Sequence, residues 1–454
     1  MLSRTSLGAA TKRNPFDWLA ARACQSVFAQ LASRERQKLE LALRPQRAQL
    51  ARVLYRTAKP CLELRMSACL EAARALKIEH REHYLDELQN PSELCRCFPA
   101  LASLLSRLVN QWQRNVLELA QRLMQDEREL SLAFFNGQPL GALTWLDCNL
   151  SDPHDGGRSV ARLQFERGSV IYKPRNGQCE HEWALLLRWL RLRGLEPSLR
   201  ALRVIRRRRY CWMEYAKAEP CPEQGEACRY FRRLGALICL THLLAGVDFH
   251  RGNLITAGEH PLLVDAETLC HPKSETPGAN RIIPKDLLRT GWFRSKSYRF
   301  GPLGFARTRM HSPHVSGLTL DYRDFIPEIR TGFINLWNLL LKEPTDRRAI
   351  QRRRRRLERQ SWRQLLRTTR FYQAVQQASL EPRLMACPAA RYQFIVTNCR
   401  SGNCTPALLK KEAKALFWLD IPYFERRCEL PALPAYNDLA ETTRLLSHIL
   451  RGEH

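Results

Sequence analysis

Residues 244–268, "LAGVDFHRGNLITAGEHPLLVDAET", bring Asp248, His250, Asn253, Asp265 and Glu267 together between apolar runs. The stretch reads as a buried helix that stops at a loop and restarts as a strand. Asp265 follows the apolar "PLLV", and a carboxylate at the end of a buried strand needs a partner or a metal. The chain must therefore hold a polar constellation against a hydrophobic core.

The remaining sequence has the material for that core. With 454 residues, 44% of them hydrophobic, two or three domains are expected. From about Phe16 to Leu130, Leu, Val and Trp recur three and four residues apart, which predicts an all-helical region. Between Phe134 and Val204, "LGALTWLDCNL", "SVARLQFERG" and "SVIYKP" are short β-rich runs separated by turn chemistry, predicting a small antiparallel sheet with one helix beside it. Helix returns from Tyr230 to Leu244, the stretch after Glu267 is irregular as far as about Arg323, and a basic amphipathic helix is predicted over Arg347–Ala378. The expected class is α+β. The expected divisions are a helical region at 1–132, a β-rich small lobe at 133–216, a large lobe with the polar loop at 217–345, and a basic helical region at 346–454.

A net charge of +28 is carried mainly by arginine, with dense runs at Arg206–Arg209 and Arg352–Arg356. Such a field favours an anionic partner, although each run reads equally well as a solvated helix face. The sixteen cysteines are scattered over a chain long enough to need no staples, so most are expected to be reduced and buried. Cys95/Cys97, Cys221/Cys228 and Cys399/Cys404 come nearest to metal spacing, but none is a paired C-x-x-C. The basic N-terminus lacks the apolar core of a secretory signal, and the longest apolar stretch, around Leu234–Val247, is too short to span a bilayer. A soluble, cytoplasmic protein is expected.

Phosphoryl transfer from ATP needs a lysine to hold phosphates, a carboxylate to orient the attacking hydroxyl, and an Asn and an Asp to hold the metal. "VIYKPR" offers Lys173 on a strand; "VDFHRGN" and "LLVDAET" offer Asp248, Asn253 and Asp265 in kinase order. The spacing resembles a protein-kinase catalytic loop and metal-binding strand, although the letters differ. "YCWMEY", with Glu214 as a nucleotide contact, is a strand suited to bridging two lobes. In "NLSDPHDGGRSVARLQF", two glycines ahead of Arg158 fit a loop that meets phosphates through backbone N–H groups and an arginine. An ordinary hairpin, with Asp152 and His154 as turn formers, fits the same string. Lys173 taken alone reads as a surface lysine at a strand end.

"LSDPHDGGRSV", "VIYKPR", "YCWMEY", "LLAGVDFHRGNLI", "HPLLVDAETL", "RQLLRTTRFY" and "LDIPYF" occur in the order found in LanM-type class II lanthipeptide synthetases. The chain resembles their dehydratase half from about Leu39 to Phe424. The resemblance implies a lipid-kinase-like, two-lobed core with added helical N-terminal and C-terminal regions. It also implies an enzyme that phosphorylates Ser and Thr of a ribosomal precursor peptide with ATP and Mg²⁺, then eliminates phosphate to give dehydroalanine or dehydrobutyrine. By motif, Lys173 would contact the ATP phosphates, Asp248 would orient the hydroxyl, and Asn253 and Asp265 would hold Mg²⁺, with His250 in the same loop. Asp152 and His154 would lie near the phosphorylated residue, and Arg363 and Thr369 would serve elimination. On one continuous helix, six residues put Arg363 and Thr369 about 120° apart, so a shared site needs a helix end or bend between them.

No zinc-bearing cyclase pattern follows Phe424, so dehydration without cyclisation is expected, with a separate lanthionine cyclase as a partner or the chain as a decayed fragment. An acidic leader peptide would suit the basic surface. The alternatives are a kinase without elimination and a non-catalytic basic binding protein; no recognised nucleic-acid module is present.

Overall fold

The computed structural model describes residues 14–75, 91–271, 281–293, 313–315, 318–400, 405–427 and 429–452. The architecture is mixed α+β, with helices predominating and small antiparallel sheets. The chain forms two compact units, Met1–Pro174 with Leu366–Tyr423, and Arg175–Leu365 with Phe424–His454.

The first unit opens with α1 (Asp17–Gln30), α2 (Ser33–Ala75), α3 (Pro91–Cys97) and α4 (Pro99–Phe134). Proline at the first position of α4 costs no hydrogen bond, because that N–H has no helical partner. Leu101, Leu104, Leu105, Val116, Leu119 and Leu123 then recur at helical spacing and are buried. Between residues 14 and 134 the described residues are thus almost entirely helical. β1 (Leu143–Asp147), β2 (Ala161–Phe165) and β3 (Gly168–Lys173) follow as an antiparallel meander, as the alternation predicts. Alternate residues of β2 are buried, whereas the last four of β3 are all buried. Lys173, closing β3, is 3% exposed, so it is not a surface lysine.

The second unit contains α5 (Gln178–Leu192), the hairpin β4 (Val204–Arg206) and β5 (Cys211–Glu214), and α6 (Gln224–Leu243). Next come the hairpin β6 (Leu254–Ala257) and β7 (His260–Leu263), then α7 (Ile326–Leu341) and α8 (Pro344–Glu358). Phe231 of α6 stacks on Phe325 at 4.3 Å, and Phe333, Leu336 and Trp337 of α7 are fully buried in the same core. Arg233 of α6 donates to the carbonyls of Ser198 and Glu259 at 2.9 and 3.0 Å and to Glu259 Oε1 at 3.0 Å, fixing the β6–β7 turn on the helix.

That fixation leaves a pH signature. Burial and the nearby Arg233 push the His260 imidazole down to about 4. A histidine that ionises near 6.5 when unfolded but near 4 when folded contributes its full stability above the higher value and loses it as pH falls through the window. Chemical denaturation at pH 7 and pH 4 should therefore show His260→Gln losing about 2 kcal/mol less than the wild type on acidification.

The Arg352–Arg356 run is neither simply solvated nor simply a patch. Arg354 is 3% exposed and donates to the Pro431 carbonyl, and burial pushes its guanidinium down to about 10. Arg356 forks onto Glu182 at 2.7 and 3.0 Å, and upstream Arg347 donates to the carbonyls of Pro434 and Leu433. Arg352 and Arg355 remain exposed.

The single helix expected over Arg347–Ala378 is not formed. α8 stops at Glu358, and the buried Trp362 indole donates to the Leu357 carbonyl at 2.8 Å. Trp362 and Arg363 pair antiparallel with Glu425 and Arg426, and the Arg363 N–H donates to the Glu267 carbonyl at 2.8 Å. Those commitments remove the donors a continuing helix requires.

Back in the first unit, Thr368 caps α9 (Thr369–Ala378), and α10 (Pro382–Met385), α11 (Pro388–Cys399) and α12 (Pro406–Phe417) follow. Their cluster holds the fully buried Glu412, which accepts from Arg367 Nε at 3.0 Å and Tyr372 Oη at 2.6 Å. The last helix, α13 (Asp438–Arg451), packs on α7 in the second unit.

Among the described residues the cysteines are free thiols, most of them buried, and no helix is long and apolar enough to cross a membrane. Cys404 and Cys428 lie outside the described residues.

Candidate functional site

In the second unit the polar constellation forms where α6 ends. Val247 pairs with Thr268 through N–H to carbonyl at 3.2 Å and hydroxyl to carbonyl at 2.6 Å. Phe249 donates its N–H to the Thr290 carbonyl at 2.9 Å, and its buried ring stacks on Trp292 at 5.8 Å. Asp248, between these two anchors, takes a left-handed backbone with φ of 66°, a conformation that Asp and Asn tolerate better than most residues. Gly291 presses on this turn, and a Cβ there would lie 2.9 Å from Phe249 N.

Asn253 Nδ2 donates to the Asp248 carbonyl at 2.9 Å, and the Asn253 carbonyl accepts from Val264 N at 3.0 Å. The loop is thus tied to the residue before Asp265. His250 Nδ1 accepts from Gly252 N at 3.0 Å, which assigns its proton to Nε2, 3.9 Å from Asp248 Oδ1. Burial pushes the Asp248 carboxyl up; His250 and Arg363 oppose the shift, while Asp265 and Glu267 add to it. These groups therefore feel one another's charge.

Arg175 pairs with Asp265 at 3.0 Å, with Glu180 at 2.5 Å and with Glu267. Glu267 Oε1 also accepts from Arg363 Nη1 at 2.5 Å. Asp265, Glu267 and Glu180 thus share the guanidiniums of Arg175 and Arg363, and the Asp248 carboxyl is close enough to feel Arg363, Asp265 and Glu267. Among the described residues, no group of three or more His, Cys, Asp or Glu side chains could itself hold a metal ion. A carboxylate and an amide oxygen nevertheless suit Mg²⁺, which commonly takes one or two protein oxygens and completes its shell with water and phosphate. Glu214, also in this unit, gives its carboxylate to Arg200 at 2.5 Å and to Arg203 at 3.2 Å; burial would raise its pKa, but the Arg203 and Arg200 contacts outweigh this and lower it.

In the first unit, the Asp152–Arg158 loop closes where His154 and Arg158 exchange backbone hydrogen bonds of 2.8 and 2.9 Å. Gly156 and Gly157 adopt φ of 94° and 74°, and both N–H groups donate to the Asp420 carboxylate at 2.8 Å. This is a backbone anion nest filled by the chain's own carboxylate. The Ile421 carbonyl lies 2.7 Å from His154 Nδ1, which therefore carries the proton, and the ring packs edge-on to Tyr423. Asp152 Oδ1 accepts from Gln373 Nε2 of α9 at 3.3 Å. Arg158 is held by Glu118 of α4 at 3.1 Å and by the Asp155 carbonyl at 2.6 Å.

Asp248, His250, Asn253, Asp265 and Arg363 thus belong to one neighbourhood in the second unit. Asp152, His154 and Arg158 share a loop in the first, where Lys173 closes β3 and Thr369 begins α9. Sequence reasoning gave no role to Arg175, Glu180, Glu267 or Asp420. Arg175 was visible in "YKPR" and Asp420 in "LDIPYF", but apart from Glu180, five residues from Arg175, the partners named here lie far away in sequence.

Comparison with known proteins adds a relative and a family. The relative is the "Lacticin 481/lactococcin biosynthesis protein LcnDR2" of Lactococcus lactis subsp. lactis, 25% identical over 126 residues. That match takes in 26% of this chain and 14% of the relative. The profile described as "Domain of unknown function (DUF4135)" matches residues 98–293 and 301–427, most of the chain, and the protein belongs to that family.

Proposed function

We infer that the chain is a lanthipeptide-modifying enzyme, a dehydratase that phosphorylates Ser and Thr of a ribosomal precursor peptide with ATP and then eliminates the phosphate. The observation that carries this reading is the neighbourhood of Asp248, Asn253, Asp265 and Arg363. The lantibiotic relative and the seven ordered strings support the choice of substrate. A two-lobed, kinase-like core is part of the reading.

Asp248 accepts a hydrogen bond from the substrate hydroxyl and aims its oxygen at the γ-phosphate. Asn253 and Asp265 are the assigned Mg²⁺ ligands, and Mg²⁺ would neutralise charge on the transferring phosphate. His250 stands beside Asp248. In the elimination half, a base takes the α-proton, the Cα=Cβ bond forms as the Cβ–O bond to phosphate breaks, and the Arg363 guanidinium, now on Glu267, turns to the leaving phosphate dianion. Lys173 and Thr369 are assigned to phosphate, and Asp152 and His154 to the phosphorylated residue, on the sequence resemblance. Arg158, paired with Glu118, and Glu214, paired with Arg200 and Arg203, are assigned to the nucleotide on the sequence reading. The reaction, fed by ATP, would run in the cytoplasm on a leader-bearing precursor whose acidic leader suits the basic surface.

Mass spectrometry of a candidate precursor encoded beside this gene, after incubation with protein, ATP and Mg²⁺, tests the reading. Loss of one water per modified residue is the expected result; an unchanged mass, with ATP binding also absent, rejects it. The Arg363–Glu267 pair favours one second reading, a kinase in which Arg363 is only a counter-ion. Arg363→Ala should change the product of a dehydratase from dehydrated peptide to phosphopeptide, whereas such a kinase makes phosphopeptide with or without the substitution. Steeply salt-dependent nucleic-acid binding that survives Asp265→Asn would instead mark a basic binding protein.

A further inference from the structure

Arg175 holds three carboxylates that come from two elements. Glu180 lies in the first turn of α5, and Asp265 and Glu267 follow β7. The three contacts are unequal. Glu180 and Glu267 side chains are only 4% and 6% exposed, and the Glu180 contact measures 2.5 Å. Asp265 is 29% exposed and its contact is 3.0 Å, so solvent reaches this arm of the bridge. Asp265 Oδ1 also accepts from the Glu267 N–H at 3.2 Å, which keeps the carboxylate aimed when other partners change.

We propose that Arg175 is an internal counter-ion: it occupies the Asp265 carboxylate until a divalent cation arrives, then withdraws to Glu180 and Glu267. This rests on the reading of Asp265 as a cation ligand. A guanidinium and a divalent cation compete for the same carboxylate oxygens, and holding both against Asp265 sets like charges together. Glu180 and Glu267 are the fixed end of the device, because both are buried and both pair with Arg175. Without nucleotide phosphates to help displace Arg175, the site binds a cation weakly, and it opens when nucleotide and cation arrive together.

Mn²⁺ titration of the full chain, with free Mn²⁺ followed by electron paramagnetic resonance, tests this with and without a non-hydrolysable ATP analogue. Without nucleotide, Arg175→Gln is expected to bind Mn²⁺ about tenfold more tightly than the wild type. Adding Asp265→Asn should remove that gain. Arg175→Lys keeps the charge but cannot span three carboxylates, so a gain of about threefold is expected; it serves if the glutamine variant does not fold. Mn²⁺ binding with the analogue that depends on Asp265, but no gain in either Arg175 variant, overturns the inference and leaves the functional reading standing. Absence of Mn²⁺ binding in the wild type even with the analogue overturns both.

Discussion

Asp248→Asn is expected to lower the rate of ATP-dependent peptide phosphorylation by about 10³-fold, within the range for loss of a positioned general base. The variant is informative because little else should change. Asparagine is close to isosteric, tolerates φ of 66°, and leaves the carbonyl that accepts from Asn253 in place. Burial already disfavours the Asp248 carboxylate, so removing its charge should raise thermal stability slightly. Single-turnover mass spectrometry and a melting curve on the same preparation separate the outcomes. A stable protein with lost phosphorylation supports the assigned role, whereas full activity would remove Asp248 from the mechanism.

The second large effect concerns the helix crossing that carries the site. A Cβ on Gly235 of α6 would lie 1.9 Å from the Ile329 carbonyl oxygen, and one on Gly332 of α7 would lie 1.8 Å from that of Arg232. The two backbones therefore touch through reciprocal glycines, and neither helix can yield without moving the core around Phe231 and Phe333. Gly235→Val is expected to cost about 3 kcal/mol or more and to leave much of the protein unfolded at 37 °C. Urea denaturation measures the loss. Gly194→Ala is the control: nothing lies within 4 Å of a Cβ there, so only the strain of φ 84°, about 1 kcal/mol, is paid. Because α6 runs directly into Asp248, a folded remnant of Gly235→Val should also lose the geometry of that loop.

Local pattern was legible in the sequence. Leucine spacing in α4, alternation in β2, and the apolar-to-polar-to-apolar rhythm of residues 244–268 depend on neighbours within a few residues. The chemical repertoire was legible for the same reason: Asp248, Asn253 and Asp265 sit within eighteen positions, joined by one short hairpin.

Pairing over long distances was decided only by the tertiary structure. Arg175 reaches Asp265 across ninety residues, and Asp420 fills the glycine N–H pair 263 and 264 residues away. The Arg352–Arg356 run looked like one charged face, yet Arg354 and Arg356 are taken up by Pro431 and Glu182. The helix predicted through residue 378 failed because a buried indole and a backbone bond to Glu267 outweighed helical periodicity between Glu358 and Thr369. The sequence by itself determined the elements whose pattern no distant contact overrides, such as α4 and β2, and which functional groups stand near one another along the chain, because those follow from local sterics and periodicity. The tertiary structure alone decided which charges neutralise which, because a buried ion takes whatever partner the fold brings within reach.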